Sequence, residues 1–144
     1  MFERRDMFFG YCSRSTSTAK KIKDYIEQHL KVSVMDWQKD FSPGSNILQQ
    51  IQEAAKKCST GIFLFTKDDF LEDNPSEKRA VPRDNVVFEA GYFIKAKGKA
   101  RVLIILEKGA KMPADLGGDI YASLEDVTDI STIENDILKL VNKF

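Results

Sequence analysis

Histidine is almost missing from this chain. His29 is the single one in 144 residues and falls at the polar end of a predicted helix, so a Ser-His-Asp triad or a histidine-rich metal site is hard to build. Cysteine is nearly as scarce: Cys12 and Cys58 lack the paired spacing of a zinc site or a redox motif, and a reduced, cytoplasmic setting is expected. Net charge is absent too, with 22 basic residues against 22 acidic ones, which disfavours nucleic acid or an anionic membrane surface as partner. No apolar run approaches the roughly 18 residues that span a bilayer, and the start MFERRDMFFGY lacks the apolar core of a signal peptide. No membrane or metal partner is expected. What remains for chemistry is carboxylates.

What is present is a regular alternation. Four short apolar runs, Met7 to Tyr11, Val32 to Trp37, Gly61 to Phe65 and Val102 to Leu106, are rich in β-branched and aromatic residues and read as buried parallel strands. A short edge strand is expected around Ile120 to Leu124. Between them lie helical patterns: Ile22, Tyr25, Ile26 and Leu30 behind a cap at Ser15 or Ser17; Ile47, Leu48, Ile51, Ala54 and Ala55; and a closing helix with Ile133, Ile137, Leu140 and Val141, opened by Ser131 and Glu134 as a capping box. The loop QKDFSPGS is marked by Pro43 and Gly44. TKDDFLEDNPSEKRAVP is polar and long enough to suggest a functional loop. One domain, residues 1–144, suffices for this length. The β-α-β-α order predicts an α/β fold, a doubly wound parallel sheet of five strands with helices on both faces, in the flavodoxin-like order 2-1-3-4-5. Function then belongs at the carboxyl ends of the strands, where the loops after the first three converge.

One residue sits oddly in this scheme. PRDNVVFEAGYF, residues 82–93, is among the most apolar helices of the chain, yet it contains Glu89. Val86, Ala90, Phe93 and Ile94 form its apolar stripe at about 100° per residue, with Glu89 at the edge of that stripe, bordering the core. Pro82 stops anything before the helix, and Asp84 or Asn85 is placed to cap it. On physics alone a surface glutamate, or one paired with a nearby Arg or Lys, is as good a reading as a functional one.

The string Pro82-Arg83-Asp84-Asn85-Val86-Val87-Phe88-Glu89-Ala90-Gly91 resembles the signature of the bacterial TIR-like, predicted nucleotide-binding family, of the kind found in TIR-STING and TIR-SAVED antiphage proteins. FFGYCSRS, DFSPGSN, FTKDD and PADLGGDIY extend the resemblance over essentially the whole chain. It implies that Glu89 is the catalytic residue of an NAD+ glycohydrolase, which breaks the nicotinamide–ribose bond to give nicotinamide and ADP-ribose or a cyclic form. NAD+ is then a substrate, and no cofactor is expected. It also implies activation by self-association into an oligomer or filament. The chain would be the N-terminal effector part of a longer protein with a cyclic-nucleotide sensor, fused or associated. The chemistry is consistent with a lone carboxylate: nicotinamide is cationic before it leaves and neutral after, so the general acid of ordinary glycosidases is not required.

Further candidates for substrate binding carry plain alternatives. Ser13 and Arg14 offer amides and a guanidinium to a diphosphate, or a helix cap and a solvated arginine. Trp37 and Phe41 offer rings for stacking on adenine or nicotinamide, or core packing. Arg83 and Asp84 either bind substrate or cap the helix. Tyr11 and Tyr92 line a pocket or pack at the core edge. Asp68, Asp69, Glu72 and Asp73 read best as a solvated acidic loop. Receiver-type phosphotransfer needs an acidic pair after the first strand, where Cys12 and Ser13 stand. Two other functions remain open: a nucleoside 2-deoxyribosyltransferase-like enzyme, which would have no use for Arg14, and a non-enzymatic self-associating adaptor, which would not need Glu89.

Overall fold

The computed structural model describes residues 7–36, 46–74, 77–82, 84–113, 116 and 121–143. Strands β1 (Met7–Gly10), β2 (Val34–Asp36), β3 (Thr60–Phe65), β6 (Val102–Glu107) and β7 (Tyr121–Leu124) form one parallel sheet in the order β2-β1-β3-β6-β7. Counted along the chain within that sheet, this is the order 2-1-3-4-5 expected from the sequence. β4 (Asp69–Asn74) and β5 (Glu77–Val81) pair with each other, antiparallel, as a separate hairpin. The segment is polar and carries no strand pattern in the sequence; its pairing rests on the backbone ladder.

Helices cover both faces. α1 (Thr16–Asp24) continues into a wider π turn, Tyr25–His29, closed by Leu30 N–H on the Tyr25 carbonyl, and the chain then turns at Lys31 with φ 58°. α1 and α4 (Glu134–Asn142) pack on one face through Ala19, Ile22, Ile26, Ile137 and Leu140. That face of the sheet presents Met7, Phe9 and Tyr11, then Ile62 and Leu64, then Leu103 and Ile105. α2 (Ile47–Lys57) and α3 (Asp84–Lys97) pack on the other, against Phe8, Phe63, Phe65 and Ile104. This period-2 partition explains why the central strands read as continuous apolar runs: both of their faces are buried.

The helix caps differ from the sequence expectation. Ser15 precedes α1, but its hydroxyl is used elsewhere. The Ser131/Glu134 capping box does not form; Asp129 accepts from the Ser131 N–H at 3.0 Å instead. Asn46 caps α2, its Oδ1 accepting from Leu48 N–H at 2.8 Å.

Candidate functional site

α3 begins two residues after the buried Pro82 and lies on the aromatic face of the sheet. Val86, Ala90 and Phe93 point to the sheet at helical spacing, and Glu89 points with them, only 3 % exposed. The sequence placed it at the edge of the stripe; it lies within the buried face. Phe93 stacks on Phe8 with centroids 5.0 Å apart and meets Phe63 edge-on at 5.5 Å, so the carboxyl is set beside a packed aromatic cluster. Its Oε2 lies close to the end of β1, 2.9 Å from where a Cβ on Gly10 would be.

That oxygen is buried without a hydrogen-bond partner among the described residues. Burial pushes the carboxyl up from its ordinary value of 4.5 to about 7, because the charged form loses its hydration. Most buried polar groups find partners, so an exception of this kind in a titratable side chain is a candidate for a functional group. Glu89 is therefore an acid poised near neutrality, aimed at the carboxyl end of β1, the position where open α/β sheets bind ligands.

A second polar group of side chains closes the same end of the sheet. Ser15 Oγ lies 2.7 Å from Thr66 Oγ1, which in turn donates to Asp68 Oδ1; all three residues are buried. Arg14 Nη1 donates to the Asp68 carbonyl at 3.1 Å. This ties the turn after β1 to the turn after β3. Asp68 thus leaves the solvated acidic loop in which the sequence placed it, and neither Thr66 nor the carboxylate's burial was legible beforehand.

The other proposed residues separate clearly. Ser13 and Arg14 are exposed on the turn after β1, and the Ser13 carbonyl accepts from the Thr16 hydroxyl at 2.7 Å. Tyr92 is half-buried and packs beside the aromatic cluster that holds Glu89. Tyr11 is not brought to Glu89. Its ring lies on the opposite face of the sheet, and its hydroxyl donates to Asp36 Oδ1 and Oδ2 at 2.8 and 2.9 Å. Lys23 Nζ stands 3.7 Å from the same carboxylate. Burial, then the hydrogen bond and charge of Asp36, raise the Tyr11 pKa, so the phenol stays a donor. Asp84 opens α3. Trp37, Phe41 and Arg83 lie outside the described residues, as does the loop carrying Pro43 and Gly44. Cys12 and Cys58 are buried free thiols.

The chain matches the family model described as CAP12/Pycsar effector protein, TIR domain, over residues 6–126. It belongs to this TIR-domain family. The matched span includes β1, the α3 helix with Glu89 and β7. CD-NTase-associated protein 12 of Flavobacterium daejeonense is 32 % identical over 134 residues, covering 90 % of this chain and 43 % of that protein. The protein of the same name from Niabella drilacis is 27 % identical with the same coverage. Pycsar effector protein PaPycTIR of Pseudomonas aeruginosa is 32 % identical over 76 % of this chain and 36 % of its own length. The chain thus spans less than half the length of these relatives.

Among solved structures, the TIR domain of the Toll-related receptor TRR-2 from Hydra magnipapillata superposes with a TM-score of 0.67 at 11 % identity, covering 96 % of this chain and 98 % of that one. The metazoan TIR-STING receptor from C. gigas, in complex with 2′,3′-cGAMP, gives 0.67 at 18 % identity over 98 % of this TIR domain and 41 % of the receptor. At these identities the likeness is one of fold. Among the described residues no helix is long and apolar enough to cross a membrane.

Proposed function

We propose that this TIR domain is an NAD+ glycohydrolase, with Glu89 as its catalytic residue, and the effector part of a bacterial antiphage defence protein. The observation that carries the reading is a carboxyl 3 % exposed, without a partner at Oε2 among the described residues and held near neutral pKa at the carboxyl end of β1, in a family named for effector proteins.

The chemistry asks little more of the protein. As the nicotinamide–ribose bond breaks, its electron pair neutralises the pyridinium nitrogen and nicotinamide departs without needing a proton. Positive charge moves to the ribose, where an ionised Glu89 in a poorly solvated setting stabilises it far better than a carboxylate in water would. Water then adds to the ribosyl carbon and gives up a proton, leaving ADP-ribose; an adenine nitrogen in its place gives the cyclic form. A cationic substrate beside Glu89 favours its ionised state, so binding draws off the proton that burial retains. Arg14, exposed on the turn after β1 and hydrogen-bonded to the Asp68 carbonyl, is the group we assign to the diphosphate.

Assembly is part of the proposal. The relatives are longer than this chain, and two bear names that tie them to nucleotidyltransferase or Pycsar systems; the C. gigas TIR-STING receptor binds a cyclic dinucleotide. The remainder of the protein would supply a cyclic-nucleotide sensor that drives TIR domains together. The test is to display the domain on a clustering scaffold and offer it NAD+ or a 2′-deoxynucleoside. Release of nicotinamide and ADP-ribose from NAD+ is expected. Free base from the deoxynucleoside alone would favour the deoxyribosyltransferase-like reading. Cleavage of neither, with assembly verified by light scattering, would favour an adaptor.

A further inference from the structure

β1 ends on a glycine that backbone conformation does not explain. Among the described residues the glycines with positive φ are Gly98 and Gly109; Gly10 has no such need. Space explains it. A Cβ on Gly10 would stand 2.8 Å from Phe63 Cδ1 and 2.9 Å from Glu89 Oε2, closer than real side chains come. Of the two, the ring is packed between Phe8 at 5.8 Å and Phe93 at 5.5 Å and can give little, while the carboxyl is the far end of a flexible side chain. Both would have to give, the ring by a few tenths of an ångström and the acid, at the free end of its side chain, by more.

Gly61 on the neighbouring strand provides a contrast within the same cluster. A Cβ there would meet Phe63 and Phe93, each at 2.9 Å, and its close neighbours include no carboxylate. Gly61 makes room for rings; Gly10 makes room for a ring and for the acid.

We propose that Gly10 is a positioning residue for Glu89: the side chain missing from the end of β1 is the space in which Oε2 sits, and it fixes the acid at the carboxyl end of the sheet. This rests on the reading of Glu89 as the group that acts on NAD+, but the positional claim can be read without any turnover. Specific 13C labelling of glutamate follows the Glu89 carboxyl through its titration in the wild type, Gly10→Ala and Gly61→Ala. The midpoint should fall toward the ordinary glutamate range in Gly10→Ala, as the methyl drives the carboxyl toward water, and stay in place in Gly61→Ala. On the clustered domain, Gly10→Ala should lower kcat for NAD+ by about 10²-fold with KM little changed, the cost of a misplaced catalytic group. Gly61→Ala, once its stability is matched by temperature, should leave both parameters near wild type.

An unmoved midpoint in Gly10→Ala, or equal shifts in both variants, would overturn the proposal. Should Gly10→Ala fail to fold, the double variant with Glu89→Asp, one methylene shorter, should fold; if it does not, the Phe63 contact alone dictates the glycine and the proposal fails. A midpoint shift in a protein that cleaves no NAD+ would leave the placement of the acid standing and remove the glycohydrolase reading instead.

Discussion

At the scale of single residues, Glu89 is costly to the fold when ionised. The native protein holds its pKa near 7 and the unfolded chain near 4.5, so the folded state binds the proton more tightly. The stability contributed by the protonated group is fully present below about pH 4.5 and is lost as pH rises through about 7. Glu89→Gln removes that loss. The variant should gain on the order of 3 kcal/mol relative to wild type between about pH 4 and pH 9, read from urea melts at the two pH values. Equal stability differences at both ends would mean that Glu89 has a partner that keeps it charged. Tyr11 makes the opposite case, a polar group that is well served. Tyr11→Phe takes a donor from a buried Asp36 and should cost about 1–3 kcal/mol, with kcat for NAD+ on the clustered domain close to wild type, since the phenol lies across the sheet from Glu89.

At the scale of elements, the strands and helices that bury apolar faces were legible because their periodicity is the fold. The parallel strands stood out as apolar runs, and α2 and α4 as stripes of Ile, Leu and Ala. What escaped were elements and contacts whose logic is polar. The β4–β5 hairpin is held by a backbone ladder that leaves no mark on hydrophobicity, and so its sequence reads as a loop. The Ser15–Thr66–Asp68 chain joins residues 51 positions apart, beyond any local pattern. Ser131 and Glu134 satisfied a capping motif, yet Asp129 took the Ser131 amide in a tight turn two residues earlier. The α2 cap was likewise unseen, and it gives a simple check. Asn46→Ala should lower stability by about 1 kcal/mol in chemical denaturation, because the Leu48 amide loses its acceptor; no change would mean that a neighbouring group or water replaces the cap at no cost.

For Glu89 the helix and the face are legible in the sequence, but the depth is not. At about 100° per residue Val86, Ala90, Phe93 and Ile94 centre the stripe, and the same angle puts Glu89 at its margin. Only the packing of α3 over β1 and β3 shows that the margin is itself covered. Gly10 was legible as part of FFGYCSRS but not as a requirement, since its role appears only when β1 and α3 are seen together.

At the scale of the whole molecule, the sheet order β2-β1-β3-β6-β7 brings the ends of β1 and β3 side by side, with α3 above them. The fold therefore gathers the acid, the Arg14 turn and the Asp68 turn from segments far apart in the chain. A domain of this kind is proposed to act in an assembly, so cleavage per domain should rise steeply with clustering. Titrating the domain on a multivalent scaffold should give nicotinamide release that grows faster than linearly with occupancy. A rate per domain independent of occupancy would show that one copy holds a complete site.

The most direct test of the central claim is the rate of nicotinamide release from NAD+ by the clustered domain, wild type beside Glu89→Gln. Both should fold and assemble alike, the variant with equal or greater stability at alkaline pH. The account predicts that wild type releases nicotinamide, at subsaturating NAD+ faster as pH rises through about 7 while Glu89 ionises, and that the variant releases none at any pH. Cleavage that persists in Glu89→Gln at the wild-type rate would contradict it, and would move the chemistry away from the buried acid altogether.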